Sequence, residues 1–350
     1  MRLTDLLAAT SDDIAPRRPD GETLPDAPLA GLTADSREVG PGWLFAALPG
    51  SRQDGRDFIG QAVQQGAVAV LAPEGTTLDR SDRPVTLVTS ANPRRALARM
   101  AAAFYGRQPK RLAAVTGTSG KTSVAHFARS LWTLAGERAA SLGTLGLVPE
   151  EALPERPPAL TTPDPVALMR CLAGLAQAGY EHVALEASSH GLEQYRLDGL
   201  QLSAAAFTNL SHEHLDYHGT LENYFAAKRR LFAELLPEGG TAVVNLDAPQ
   251  SADLITVART RRHRLVTFGS AERADLRLVS RRPLPEGQAV ELALFGRRAK
   301  LELPLLGAFQ AYNVLAALGL AIGCGLDPAR AVPLLPRLSV VPGRLEFVAR

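Results

Sequence analysis

From Arg111 onward, short apolar runs alternate with longer stretches in which apolar positions recur every three or four residues. The runs suit buried strands and the longer stretches suit amphipathic helices. Their regular alternation is how a parallel sheet with crossover helices is written in sequence. Strands are expected at Leu112–Thr116, His182–Glu186, Ala204–Thr208, Ala242–Asn245 and Leu265–Phe268, and helices at Val124–Ala135, Pro165–Ala178, Leu221–Leu236 and Ala311–Gly323. Between residues 275 and 303 the pattern turns strand-like at Leu276–Ser280, Ala289–Leu294 and Lys300–Leu303, which reads as a small antiparallel appendage. Residues 1–108 differ in texture. They carry shorter strands (Trp43–Ala47, Ala67–Leu71, Val85–Val88), loops rich in Pro, Gly and Asp, and an amphipathic helix over Asn92–Tyr105. They read as a separate α/β domain ahead of a central domain over 109–342, with 343–350 beginning a linker.

Composition removes several function classes. The 350 residues are 46% apolar, as in globular proteins, and the net charge of +2 gives no broad basic surface for nucleic acid. Aromatic residues make up 5%, too few for a base-stacking platform. No apolar run is long enough to span a bilayer, and the N-terminus lacks a signal-peptide pattern. Cys171 and Cys324 are the only cysteines, far apart in sequence, which suits a reducing compartment and a cytoplasmic location.

One expected strand-to-helix junction has a marked composition: Thr116-Gly117-Thr118-Ser119-Gly120-Lys121-Thr122-Ser123. Two glycines let backbone N–H groups close around an anion, and the helix N-terminus adds partial positive charge. Lys121 can reach outer phosphates, and the Thr122 hydroxyl can ligate a nucleotide-borne Mg²⁺. Val115 stands where the usual phosphate loop has a further glycine, so the loop is a short variant. It predicts binding of a nucleoside triphosphate.

Two more expected strands end in polar clusters, Glu186-Ala187-Ser188-Ser189-His190-Gly191 and Asn209 through Gly219. Ligands of open parallel sheets bind at the carboxyl ends of the strands. If the three strands are neighbours, Lys121, Thr122, Glu186 and His214 surround one Mg-nucleotide. Other readings fit less well. A serine-hydrolase elbow would need glycine where Ala187 stands. The His212-Glu213-His214 start of a zinc-protease helix would need a second histidine at Asp216.

The ordered set of these motifs resembles the Mur ligase family of peptidoglycan synthesis over nearly the whole chain. The matching segments are Thr116–Ser123, Leu160-Thr161-Thr162-Pro163, Glu186–Leu192 with Gln194 and Arg196, and Phe207-Thr208-Asn209-Leu210. His214–Gly219, Tyr224–Lys228 and Gly307-Ala308-Phe309 with Asn313 continue the match, and Asp35-Ser36-Arg37 and Asp54-Gly55-Arg56 fit it near the N-terminus. The resemblance implies a small α/β UDP-binding domain followed by a Rossmann-like ATP-binding domain with a mostly parallel sheet. It implies an ATP-dependent ligase that adds a third amino acid, meso-diaminopimelate or L-lysine, to UDP-N-acetylmuramoyl-L-alanyl-D-glutamate through an acyl phosphate. A cytoplasmic monomer that needs neither nucleic acid nor membrane is expected.

Residue roles follow from the same resemblance. Thr116, Gly117, Thr118, Ser119, Gly120, Lys121, Thr122 and Ser123 would hold ATP, with Asn313 at the adenine and Arg344 at the ribose or hinge. Thr122 and Glu186 would hold one Mg²⁺, and His214 would help hold a second. Lys228 would carry an N6-carboxylate formed with CO₂; alone it reads as an exposed helix lysine. The catalytic set is then Lys121, Lys228 and His214. Ser36, Thr161, Thr162, Ser188, Gln194 and Arg196 would hold the UDP-sugar-peptide. Read by itself, Thr161-Thr162-Pro163 is only a helix cap before Pro165.

The chain departs from the family pattern at Ser119 and Gln310 (each usually Asn), at His212-Glu213 (usually Arg-Asp) and at Ser51-Arg52-Gln53 (usually His-Gln-Ala). The Asp-Tyr-Ala-His-Thr-Pro motif of the family's third domain does not occur, so the chain as given is expected to bind nucleotide without completing a ligation. Three alternatives stay open: a phosphate-loop kinase or transport ATPase, a folylpolyglutamate synthetase, and a non-catalytic nucleotide-binding module.

Overall fold

The computed structural model describes residues 1–10, 14–17, 27–50, 53–78, 84–154 and 160–343. The chain divides into two compact units, each built on one sheet.

The first unit comprises Met1–Arg107 together with Asp164–Arg170 and Gln194–Gly199. Its strands are β1 (Ala15–Arg17), β2 (Gly31–Thr33), β3 (Trp43–Ala46), β4 (Ala69–Pro73) and β5 (Thr86–Ser90). The order is β1-β5-β4-β3-β2, with β2 to β5 parallel and β1 antiparallel on the edge. The helix Pro93–Tyr105 starts where the chain provides both an N-cap and a first-turn proline: Asn92 Oδ1 accepts from Arg95 N at 3.0 Å, and Pro93 follows. Arg95 pairs with the buried Asp198 (Nε to Oδ1, 3.3 Å), which ties residues 194–199 into this unit. Asp35-Ser36-Arg37 and Asp54-Gly55-Arg56 form the same local structure. In each, an aspartate accepts the backbone N–H two residues on, opens a 3₁₀ turn, and pairs with the arginine side chain.

The second unit comprises Gln108–Pro163, Cys171–Glu193 and Leu200–Arg350. Its strands are β6 (Arg111–Thr116), β7 (Ala139–Gly143), β8 (Gly146–Val148), β9 (His182–Glu186), β10 (Leu202–Phe207), β11 (Thr241–Asn245), β12 (Arg264–Gly269), β13 (Leu276–Leu284), β14 (Gly287–Leu294) and β15 (Arg297–Leu303). They make one ten-stranded sheet in the order β15-β14-β13-β12-β11-β10-β6-β9-β7-β8. From β7 to β13 neighbours run parallel, whereas β8, β14 and β15 add antiparallel. The antiparallel strands expected near residues 275–303 are therefore an extension of the main sheet: β13 joins β12 through Phe268–Leu276 and Gly269–Arg277. β14 and β15 turn at Phe295-Gly296, both at positive φ, as tight hairpins require.

The three strands with polar ends are direct neighbours, β10-β6-β9, in parallel register (Val115 opposite Glu186, Thr116 opposite Phe207). Their alanines let the helices Lys121–Leu134 and Ala308–Gly323 pack close, over a core containing Phe127, Trp132, Leu315 and Leu318. The helix Pro165–Gln177 is capped by Asp164, whose Oδ1 accepts from Val166 and Ala167 N at 3.0 Å, and not by the threonines before it. Among the described residues no helix is long and apolar enough to cross a membrane.

Candidate functional site

The loop leaving β6 is shaped by what presses on it. Gly117 has φ +147, and a Cβ there would stand 2.0 Å from Thr208 Oγ1. Gly120 has φ +89, and a Cβ there would stand 2.4 Å from Asn313 Oδ1. Both positions demand glycine for conformation and for space. The chain leaving β10 grips the loop. Thr118 N donates to Asn209 O at 2.9 Å, Ser119 N to Asn209 Oδ1 at 2.9 Å, and Thr208 Oγ1 to Ser119 O at 2.7 Å. Asn245, closing β11, donates in turn to Thr208 O at 2.7 Å. Thr116 and Ser123, at the two ends of the loop, are buried.

Two amines converge on one carbonyl. Lys121 Nζ donates to Gly117 O at 2.9 Å and to Thr118 O at 2.7 Å, and Lys228 Nζ donates to the same Gly117 O at 2.8 Å. Lys228 is only 1% exposed and lies 4.1 Å from the centroid of the Tyr224 ring. The surface lysine suggested by its helix is therefore a buried one. Burial, with the Lys121 charge nearby, pushes the Lys228 amine from its usual 10.5 down to about 6. Tyr224 is itself fully buried, and its hydroxyl lies 3.3 Å from Thr118 Oγ1.

Glu186, 3% exposed at the end of β9, receives three donors: Thr144 N at 2.7 Å, Thr122 Oγ1 at 3.1 Å and Thr144 Oγ1 at 3.2 Å. Burial pushes its carboxyl upward, opposed by these donors and by the charge of Lys121. A divalent cation would offset that burial cost. With its hydrogen directed at Glu186, the Thr122 hydroxyl keeps its lone pairs for a ligand. The pair is a hard-oxygen donor set of the kind Mg²⁺ takes alongside phosphate oxygens and water. Among the described residues no three His, Cys, Asp or Glu side chains gather as a protein-only metal cage.

His214 lies in a different neighbourhood. It is exposed, at φ +57, at the head of the short helix Leu215–His218. Its ring stands 5.1 Å from His190 and 6.1 Å from Tyr224, in an aromatic group that includes Tyr217 and His218. His218 Nδ1 lies 3.2 Å from Glu193. This group meets the loop through Tyr224.

On the other side of Glu186, Thr162 Oγ1 donates to Glu186 O at 2.8 Å and accepts from Ser188 N and Ser188 Oγ, each at 3.0 Å. One hydrogen and two lone pairs are all a hydroxyl has. Thr162 is thus a brace between Glu186 and Ser188. Ser188 Oγ accepts from Gly191 N at 3.0 Å, and Thr161 Oγ1 lies 3.1 Å from Thr144 Oγ1. Gln194 and Arg196 pair with each other in the first unit, the unit that also holds Ser36 (Gln194 Oε1 accepts from Arg196 Nη2 at 2.7 Å). Asn313 Nδ2 donates to Gln310 Oε1 at 2.9 Å, both side chains being buried. Arg344, Ser51 and Arg52 lie outside the described residues. Sequence reasoning assigned no role to Thr144, Thr208, Asn209 or Tyr224. Thr208, Asn209 and Tyr224 stand within segments the sequence marks, without a role of their own, whereas nothing local distinguishes Thr144.

Residues 28–114 match the Mur ligase family catalytic domain, and residues 115–321 match the Mur ligase middle domain. The chain belongs to the Mur ligase family. Among its Mur ligase relatives, the UDP-N-acetylmuramoyl-L-alanyl-D-glutamate–2,6-diaminopimelate ligase of Caulobacter vibrioides is 50% identical over 331 residues, covering 93% of this chain and 67% of the relative. The ligase of the same name from Rhizobium meliloti is 44% identical over the whole chain and 70% of the relative. A solved structure of a ligase of that name superposes with a TM-score of 0.80 at 32% identity, over 94% of this chain and 66% of that one. The chain thus spans about two thirds of the length of these relatives.

Proposed function

We propose that this Mur ligase chain carries the nucleotide-binding and UDP-sugar-binding parts of an ATP-dependent ligase that joins 2,6-diaminopimelate to UDP-N-acetylmuramoyl-L-alanyl-D-glutamate. The observation that carries the reading is the convergence of Lys121, Thr122, Glu186 and Lys228 around one glycine loop. The names of relatives up to 50% identical supply the substrate and the amino acid.

In this reading the substrate's terminal carboxylate attacks the γ-phosphorus of ATP, ADP departs, and an acyl phosphate forms. The amine of the amino acid then attacks the acyl carbon, phosphate leaves, and an amide remains. Lys121 turns from the Gly117 and Thr118 carbonyls to the outer phosphates, and the loop N–H groups bind phosphate oxygens. Thr122 and Glu186 would hold Mg²⁺. His214 and Lys228, the latter as an N6-carboxylate, would hold a second ion. Bound there, Mg²⁺ supplies charge neutralisation between two anionic reactants. The Lys228 environment suits carboxylation, since an amine held near 6 is uncharged at neutral pH and therefore nucleophilic toward CO₂. Asn313 would lie near the adenine and Arg344 near the ribose. Ser36, Thr161, Ser188, Gln194 and Arg196 would face the UDP-sugar-peptide, with Thr162 bracing Ser188. A cytoplasmic monomer fits these soluble reactants.

The test is phosphate release by the intact protein with ATP, Mg²⁺, the UDP-muramyl dipeptide and either 2,6-diaminopimelate or L-lysine. Release that requires both the dipeptide and diaminopimelate supports the reading. Release indifferent to the dipeptide, or phosphoryl transfer to a hydroxyl, overturns it.

A further inference from the structure

The end of β7 brings a residue to Glu186 that no motif marks. Thr144 grips both carboxylate oxygens, its backbone N–H on Oε1 at 2.7 Å and its hydroxyl on Oε2 at 3.2 Å. The carboxylate lies so close over the preceding residue that a Cβ on Gly143 would stand 2.1 Å from Oε1. The Thr144 hydroxyl also lies 3.1 Å from that of Thr161. A hydroxyl has one hydrogen. With that hydrogen given to the carboxylate, Thr144 must accept from Thr161. The direction of the whole chain is then fixed: Thr161 donates to Thr144, Thr144 donates to Glu186, and Thr122 donates to the same carboxylate oxygen. Thr161 is left presenting only lone pairs, which selects a donor group on whatever it meets.

We propose that Thr144 is a positioning residue: it sets the rotation of the Glu186 carboxylate toward the phosphate loop and the hydroxyl orientation of Thr161, coupling the metal end of the site to the UDP-sugar-peptide end. The proposal rests on the functional reading above for the identity of the two ends, and on the hydrogen bonds alone for the coupling. The side-chain partners of Thr144 are Glu186 and Thr161, so its role runs through them. Its side chain is exposed apart from these bonds, so its replacement does not empty a core.

The experiment uses the intact protein and the variants Thr144→Val, Thr144→Ser, Thr161→Val and the Thr144→Val/Thr161→Val pair. The first readout is ADP binding as a function of Mg²⁺ concentration, which needs no turnover. The second is the KM for the UDP-muramyl dipeptide. Losing a hydrogen bond to a charged group corresponds to a change of about ten-fold. Thr144→Val should raise the Mg²⁺ concentration needed for half-maximal ADP binding by about ten-fold, and should raise the dipeptide KM by a similar factor with kcat less affected. Thr144→Ser, which keeps the hydroxyl, should restore both to within about two-fold of wild type. The double variant should be impaired in KM by clearly less than the product of the two single effects, because the two hydroxyls act as one chain. An unchanged Mg²⁺ dependence in Thr144→Val, a serine variant as impaired as the valine one, or additive effects in the pair would each overturn the proposal. Failure of the functional reading looks different. Wild-type protein would then bind ADP with Mg²⁺ but show no dipeptide-dependent turnover, and the Mg²⁺ titration would still decide the role of Thr144.

Discussion

This Mur ligase chain places charge in two contrasting ways. In the first unit, Asp35 with Arg37 and Asp54 with Arg56 are exposed or half-exposed pairs that satisfy each other within a single turn. Each arginine holds its aspartate below the usual carboxylate range, and the pair's hydrogen-bonding capacity is largely used internally. In the second unit, Lys228 and Glu186 are buried, both are pushed toward their neutral forms, and among the described residues neither has an oppositely charged side chain within hydrogen-bonding distance. Their partners are hydroxyls, backbone amides and a carbonyl. Perturbed groups of this second kind mark places where a ligand completes the electrostatics. The first kind shapes a turn; the second, in the function proposed above, is completed by phosphate, metal and carboxylate.

The contrast can be broken by substitution. The largest effect is expected at Lys121: Lys121→Ala should weaken ATP binding by about a hundred-fold or more, measured by calorimetry, since a charged phosphate contact is lost from a preorganised site. Lys228→Ala in the intact enzyme should lower turnover by a comparable factor and leave nucleotide affinity nearer to wild type. Added short carboxylates should recover part of that turnover; normal activity without rescue would remove Lys228 from the mechanism.

A third test concerns His126, one turn into the helix that follows the loop. It is buried, neither ring nitrogen has a hydrogen-bond partner among the described residues, and burial pushes it from its usual 6.5 down to about 4. Between those values the unfolded chain binds the proton and the folded one does not. Stability should therefore fall as pH drops from about 6.5 and level off below about 4, by an amount on the order of 3 kcal/mol. Urea unfolding of His126→Leu should show a flatter profile across that window, and identical profiles would show that His126 contributes nothing. The smallest effect belongs to the exposed pairs. Arg56→Ala should move the melting temperature by less than about 2 °C. A large loss there would mean that the Asp54–Arg56 turn does more than hold itself.

Much of this arrangement could be read from the chain, and the limits have physical causes. β9 falls on His182–Glu186 as expected, because an apolar run closed by an acid and a polar cluster has unambiguous ends. The helix after the loop begins at Lys121, three residues before the expected Val124. Gly120 in the left-handed conformation starts it without any side-chain cap to signal the start. β7 went unforeseen because Ala139-Ala140-Ser141-Leu142-Gly143 has no β-branched residue, and its strand character comes from pairing with β9. Thr144 was missed with it. Glu186 was legible as an acid closing a strand, but its donors arrive from a different strand and a different loop. Similarly, nothing near Gln194 and Arg196 announces that they pack with the first unit. Local pattern gives elements and their ends, whereas a site is made by which ends become neighbours.

The hairpin between β14 and β15 bears on laboratory practice. Four strands, β13, β12, β11 and β10, lie between β14 and the strand that feeds the glycine loop. Phe295, at the tip, is 46% exposed. An epitope or fluorophore inserted between Phe295 and Gly296 would thus report on the fold from the far end of the sheet, in a turn that tolerates added length. It would give an observer of the loop a reference point on the same sheet.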